Sequence, residues 1–372
     1  MSDEQPTGIR RSRFRRSSRF RAQKELPSLS GLEESVTEAA AEETEGGFIS
    51  PIMEAKPPEE QEPPPLPPVQ VTNILTVDVK EWFQTPAFRG IIKFSHWGKY
   101  ERRIEQGINI ILAMLRERQV KATFFVLGIV AREFPELIRT IKEQGHEIGT
   151  MGYYNRPINT ITAREYIKEL EMSLSLLTSL TNQEIILHRA PEWSVTMGTL
   201  WVMDVLKSYG IKYDSSIYPV YGDTYGIPNS SRFPYRINPH DIIEVPPTTY
   251  QFAGKNIPIF GGTYLRILPF GFISMGLSSL NHEGRQVLIH ITPWEIEGNF
   301  PKIKLDWDGY MSQYAGIKST FSRVLALLDS YKFDTITNAL AEKPVEDAYH
   351  ITNLGRKIVM PPDIMNIEVP KE

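Results

Sequence analysis

Whatever chemistry this 372-residue chain performs must come from carboxylates, seven histidines and a few cationic groups, because it contains no cysteine. A thiolate metal site, a cysteine nucleophile and a disulfide framework are therefore excluded. The histidines are His96, His146, His188, His240, His282, His290 and His350, and no two stand four residues apart. No local pair can thus grip a metal ion from one helix face or one turn. The polar groups gather instead in phrases that each end a short apolar run: TVDVKEWF around Asp78, HEIGTMGYYN around Met151 and Asn155, HRAPEWS around Arg189, YDSSIYP around Asp214, and IHITPWEI around His290 and Thr292. Acid–base or metal-assisted chemistry would be assembled from these phrases.

The elements that must position them alternate. Asn73–Val79 is a strand by its apolar run, and 102–118 carries Ile104, Ile108, Ile111, Leu112 and Leu115 at helical spacing. Residues 122–128 form a second strand, 130–144 a helix with Gly145 at its stop, and 146–151 a third strand. A helix over 162–180 starts at Thr162 with Glu165 in capping-box spacing. Strands over 185–190 and 212–216 flank a helix over 199–209, and a strand-rich excursion runs from Tyr218 to Phe270. Then come a strand over 287–292, a helix over 310–328 and a last strand over 333–337. Such alternation predicts an α/β fold, a distorted (β/α) barrel over residues 72–340, followed by an irregular tail over 341–372. In parallel barrels the chemistry sits at the C-terminal ends of the strands, where the polar phrases fall.

The first 71 residues differ in kind. Seven Arg and one Lys lie between Arg10 and Lys24, the charge over 25–62 is almost all acidic, and 51–68 holds eight prolines. Such a stretch cannot bury enough apolar area to offset its chain entropy, and reads as a disordered arm ending in a stiff spacer. The Arg block is either a solvated tail or an anchor for an anionic membrane or protein partner. The formal charge of −4 argues against a wholly basic nucleic-acid binder. No apolar run reaches about 18 residues, so no membrane-spanning helix is expected. With no apolar stretch after the basic residues, the expected address is cytoplasmic, peripheral to the inner membrane face if the arm binds lipid.

In order and wording the phrases TFFVLG, GHEIG, RAP, YDSSIYP, YGIP and PWEI resemble the polysaccharide deacetylases of the NodB-homology type. The closest resemblance is to the branch found with exopolysaccharide and exosortase systems, which has an extra C-terminal region. The resemblance covers about residues 73–340. It implies a distorted barrel that removes acetyl groups from N-acetylated sugars. A divalent ion, typically zinc, would be held by a carboxylate and two histidines, with a carboxylate base, an arginine orienting that base, and a histidine acid.

Carried over residue by residue, Asp78 takes the base position and Arg189 that of its orienting partner. Lys80 stands where the metal carboxylate is expected, Met151 and Asn155 at the two metal histidines, and Thr292 at the acid histidine. A thioether, an ammonium and an amide do not replace a zinc site, so no metal or other cofactor is expected. His290 shares a strand face with Thr292; it is a hydrogen-bonded core histidine or, from deeper in the barrel, an acid. Lys80 either points to solvent or puts its ammonium beside Asp78 in place of a metal. Trp193 and Trp294 are core residues or sugar-stacking surfaces. The expected function is a glycan-binding or scaffold pseudoenzyme of exopolysaccharide or cell-envelope biology, its partner a glycan or lipid-linked glycan precursor. One alternative is an active N-acetyl-sugar deacetylase with an unconventional site around Asp78, Arg189 and His188 or His290. The other is an assembly module recruited by the Arg-rich arm.

Overall fold

The computed structural model describes residues 71–342 and 345–350, which belong to one compact unit. The Arg-rich, acidic and proline-rich stretches expected to form an arm lie outside the described residues, as does most of the tail.

The core of the fold is one sheet. Its strands are β1 (Asn73–Val79), β2 (Thr123–Val126), β3 (Glu147–Thr150), β4 (Leu187–His188), β5 (Tyr213–Asp214), β6 (Tyr235–Asn238), β7 (Ile242–Glu244), β10 (Leu288–Ile291), β11 (Phe333–Asp334) and β12 (Glu346–His350). They follow the order β10-β1-β2-β3-β4-β5-β7-β6-β12, with β11 beside the start of β1. All neighbours run parallel except the antiparallel β6–β7 pair. The ends of this path, β10 and β12, do not pair, so the barrel stays open as a curled half. The curl is needed to explain the site. In a flat sheet β1 and β4 would stand roughly 14 Å apart, yet a side chain following β4 bonds one on β1 at 2.8 Å.

Helices cover the outside. They are α1 (Ile104–Glu117), α2 (Gly128–Glu133), α3 (Pro135–Glu143), α4 (Ala163–Thr181), α5 (Val202–Ser208), α6 (Gly262–Ile267), α7 (Phe270–His282), α8 (Pro293–Glu297), α9 (Trp307–Tyr314), α10 (Ile317–Ser330) and α11 (Ile336–Ala341). Helix α1 buries the predicted Ile104, Ile108, Ile111, Leu112 and Leu115. Its Gly107 lies so close to α8 that an added Cβ would meet Pro293 within 2.6–2.8 Å, and this approach seats the PWE phrase. Helix α4 begins as expected, with Glu165 N donating to Thr162 Oγ1 and Thr162 N donating to Glu165 Oε2.

Several expectations change. The helix predicted over 130–144 breaks into α2 and α3 at Pro135, which has no N–H to continue the ladder. That over 310–328 breaks into α9 and α10 at Gly316, where φ is +68°. Helix α7 falls in a stretch where no element was expected, and it buries Ile273, Gly276, Leu277 and Leu280. The excursion holds β6 and β7, the small hairpin β8 (Tyr250–Phe252) and β9 (Lys255–Ile257), and α6. The tail is not irregular over Glu346–His350, which pairs in parallel with β6. Backbone pairing makes that strand, and its mixed polarity leaves no apolar run to read.

Candidate functional site

Residues on the inner face of the half-barrel alternate along each strand with residues facing the helices. On the inner face, Arg189 just beyond β4 is fully buried. Its Nη1 donates to Asp78 Oδ1 at 2.8 Å and to Thr76 Oγ1 at 2.9 Å. Its Nη2 donates to Ser215 Oγ at 2.8 Å and its Nε to Ser215 O at 3.3 Å. The guanidinium lies between two rings, 4.1 Å from the centre of Phe125 and 4.5 Å from that of Trp193. It is held on both faces and along its edge, as a group kept in one orientation must be.

Asp78 is only 4% exposed. Its second oxygen accepts from Lys80 Nζ at 3.2 Å, and Lys80 is itself buried. Lys80 thus turns inward to Asp78, not to solvent. Burial alone would raise the Asp78 pKa, but the charges of Lys80 and Arg189, with His290 beyond them, hold it down to about 2.

His290 stands beside Thr76 across the β1–β10 pairing, on the same inner face. Its ring meets Trp193 edge-on at 5.1 Å. On its other side lies Gly261, whose Cα leaves no room for a side chain: an added Cβ would come within 2.1–2.5 Å of the imidazole. His290 Nδ1 is buried with no partner, so this is not the hydrogen-bonded core histidine expected. Burial lowers its pKa to about 4; Asp78 opposes the shift, while Arg189 and Lys80 reinforce it. The ring is neutral at pH 7.

The outer face carries a second polar row. Thr150, His188, Asp214 and Glu244 are successive register partners across β3, β4, β5 and β7. His188 Nδ1 lies 2.7 Å from Asp214 Oδ1, and its Nε2 lies 3.2 Å from the Tyr166 hydroxyl on α4. His188 is fully buried on the side away from Asp78. It therefore cannot join a site with Arg189, because neighbours in a strand face opposite ways. Glu244 Oε1 accepts from Ser216 N and Ile217 N, which leaves its Oε2 and Asp214 Oδ2 buried without other partners. Burial, then the Asp214 charge, pushes Glu244 well above the usual carboxylate range.

The remaining predicted positions scatter. Met151 is buried in the main apolar core. Thr292 Oγ1 donates to Glu295 Oε2 at 2.8 Å and caps α8, so it does not face a pocket. Trp294 is buried against Phe300 with Arg266 over its ring, and offers no surface to a sugar. Asn155 Nδ2 donates to Gln84 O, and Asn155 lines a cavity of about 590 Å³ with Phe83, Phe88, Phe94, Trp97 and Tyr154. Sequence reasoning passed over Glu81, which follows Lys80 in the chain. It accepts from Arg103 N and Ile104 N at the start of α1, and burial pushes its pKa up to about 7.

These residues do not fit a zinc ion. The position beside Asp78 holds an ammonium, Met151 is in the core, Asn155 is bonded to backbone, and Glu81 is turned to a helix end. Among the described residues no three His, Asp or Glu converge as a metal site.

Residues 100–213 match the family model Polysaccharide deacetylase, and residues 215–341 match Domain of unknown function (DUF3473). The chain carries a polysaccharide deacetylase domain. The chain is 30% identical over 113 residues to a peptidoglycan deacetylase of Helicobacter pylori, covering 30% of this chain and 38% of that protein. It is 26% identical over 127 residues to a peptidoglycan-N-acetylglucosamine deacetylase of Bacillus cereus, covering 31% and 46%. The chain thus spans less than half the length of these curated relatives. A solved structure of a putative polysaccharide deacetylase from Mycobacterium smegmatis is similar at 22% identity and a TM-score of 0.49, covering 79% of this chain and 94% of that one. Asp78 and Lys80 precede the segment matched as a deacetylase, Arg189 lies within it, and His290 lies in the second matched segment. The inner-face cluster is therefore built from three stretches of chain, one of them within the segment matched as a deacetylase.

Proposed function

We propose that the deacetylase domain, over residues 72–340, binds an N-acetylated glycan of the cell envelope without metal-assisted hydrolysis. The observation that carries this reading is Lys80 Nζ at 3.2 Å from Asp78. An ammonium beside the base repels a divalent cation. A carboxylate held at about 2 is also a weak proton acceptor at neutral pH, where a general base works best with a pKa near that of the medium. The half-buried ring of Trp193, fixed against Arg189, offers a flat face for a pyranose.

The test is zinc loading of the purified full chain, dialysis, and elemental mass spectrometry, followed by titration with N-acetylglucosamine oligomers. The expected result is no retained zinc, no release of acetate, and oligomer binding that Trp193→Ala weakens. Near-stoichiometric zinc that Asp78→Ala abolishes would overturn the proposal.

One observation favours a second reading. The neutral imidazole of His290 shares the inner face with Asp78 and has no hydrogen bond to occupy it. Acetate release without added metal, lost in His290→Ala, would establish deacetylation by an unconventional site.

A further inference from the structure

Two exposed segments follow the C-terminal ends of the neighbouring strands β1 and β10. Residues 89–99 expose Ile91 (52%) and Phe94 (54%), and residues 302–310 expose Trp307 (73%) and Tyr310 (48%). Both segments rest on one aromatic cluster that includes Trp82, Phe88, Phe300 and Tyr314, with Trp97, Ile303 and Leu305 packed against it. Just outside them, Thr85 Oγ1, ahead of the first segment, donates to Gln313 Oε1, beyond the second, at 2.7 Å. Trp307 and Tyr310 stack with ring planes 20° apart. Four large apolar side chains, two on the 89–99 segment and two on the first turn of α9, therefore stand exposed, with no cover among the described residues.

Their surroundings are basic. Residues 89–99 contain Arg89, Lys93 and Lys99 and no carboxylate, while 302–310 adds Lys302 and Lys304. Arg89 pairs with Glu192, but none of these four lysines has an ion-pair partner among the described residues. Of the two acids in the second segment, Asp306 is engaged by Gly309 N at the start of α9 and Asp308 faces solvent.

We infer that this face docks on an anionic lipid bilayer, inserting Ile91, Phe94 and Trp307 among the headgroups while Lys93, Lys99, Lys302 and Lys304 meet the lipid phosphates. The arrangement decides between a membrane and a protein. Exposed apolar tips and ammonium groups are interleaved along the chain: Lys93 lies between Ile91 and Phe94, and Lys302 and Lys304 lie just before Trp307. The core of a protein interface is depleted in lysine, whereas a headgroup region takes apolar tips and cations together. The inference does not rest on the glycan reading, but the aromatic cavity shares Phe94 and Trp97 with this face.

The experiment uses the full chain with phosphatidylcholine vesicles, with and without phosphatidylglycerol, by co-sedimentation. Because the Arg-rich arm could also bind such vesicles, each variant is compared with a parent that carries the same arm. Ile91→Ser with Phe94→Ser should weaken partitioning about tenfold, and each of Lys93→Gln and Lys302→Gln about fivefold on anionic vesicles only. Brominated acyl chains should quench a part of the fluorescence that is missing from Trp307→Phe. All these positions are exposed, and circular dichroism checks that the fold is kept. Equal sedimentation of parent and Ile91→Ser/Phe94→Ser, or quenching unchanged in Trp307→Phe, overturns the inference and returns the face to a protein partner.

Discussion

Replacing Asp78 by Asn tests the electrostatics of the inner face most directly. The substitution keeps the shape and removes the one negative charge that Arg189 and Lys80 share. Arg189 is fully buried and Lys80 nearly so, and both would remain as uncompensated cations. A lower bound on the cost comes from linkage. The Asp78 pKa falls from an ordinary 3.8 to about 2 on folding, a gap worth about 2 kcal/mol. Orphaning a buried ion pair generally costs more, about 3–5 kcal/mol. The expected loss in urea unfolding is therefore about 2–5 kcal/mol at pH 7. Because the folded pKa lies below the unfolded one, this stabilisation is complete above about pH 4 and is lost as pH falls through about 2. Asp78→Asn should lack that acid-side decline. Adding Lys80→Met to Asp78→Asn removes one stranded cation and should restore about 1 kcal/mol or more, whereas Lys80→Met alone should destabilise. Additive effects of the two substitutions, or a loss below about 1 kcal/mol for Asp78→Asn, would refute the claim that Lys80 serves as the counter-ion of Asp78.

Two further outcomes follow from the site. Glu244→Gln should change stability by less than about 1 kcal/mol near neutral pH, because an amide can replace a protonated carboxyl as donor to Asp214. The parent should lose stability as pH rises from the ordinary carboxylate range through the raised folded pKa of Glu244; a Gln variant with the same decline would exclude Glu244 as its source. Gly261→Ala places a methyl group against the His290 ring and should cost about 1–3 kcal/mol in thermal or urea unfolding. His290→Ala in the same background should recover most of that loss, and no recovery would place the clash elsewhere.

The strand–helix alternation and the polar phrases at strand ends were legible because they are local: apolar runs, helical spacing and the Thr162–Glu165 cap are written within a few residues. The encounter of Arg189 with Asp78 rested on the resemblance, and Thr76 and Ser215 went unread as its partners because only the curl of the sheet brings them there. Glu81 is bonded to the start of α1, 22 residues away, and no spacing in the sequence announces it. Gly261 against His290 is equally non-local, and Lys80 could be read either way until its direction was known.

Two errors were avoidable from the sequence itself. Thr292-Pro293-Trp294-Glu295 has the same Thr-x-x-Glu spacing as the cap recognised at Thr162, with proline at the first helical position, and this marks Thr292 as a helix start before any pocket role is considered. His188 and Arg189 are adjacent at the end of one strand, so only one of them can face inward. Once Arg189 is assigned to the Asp78 face, alternation sends His188 to the helix side, and it does the same for Asp214 beside Ser215. Asp78 and Lys80, by contrast, are two apart and share a face, as do His290 and Thr292. Parity therefore leaves Asp78, Lys80, Arg189 and His290 as the ionisable groups facing one another at the strand ends. Two of these are cations, and the imidazole is neutral. Such a set opposes the binding of a divalent cation through its own charge, whichever way the side chains rotate.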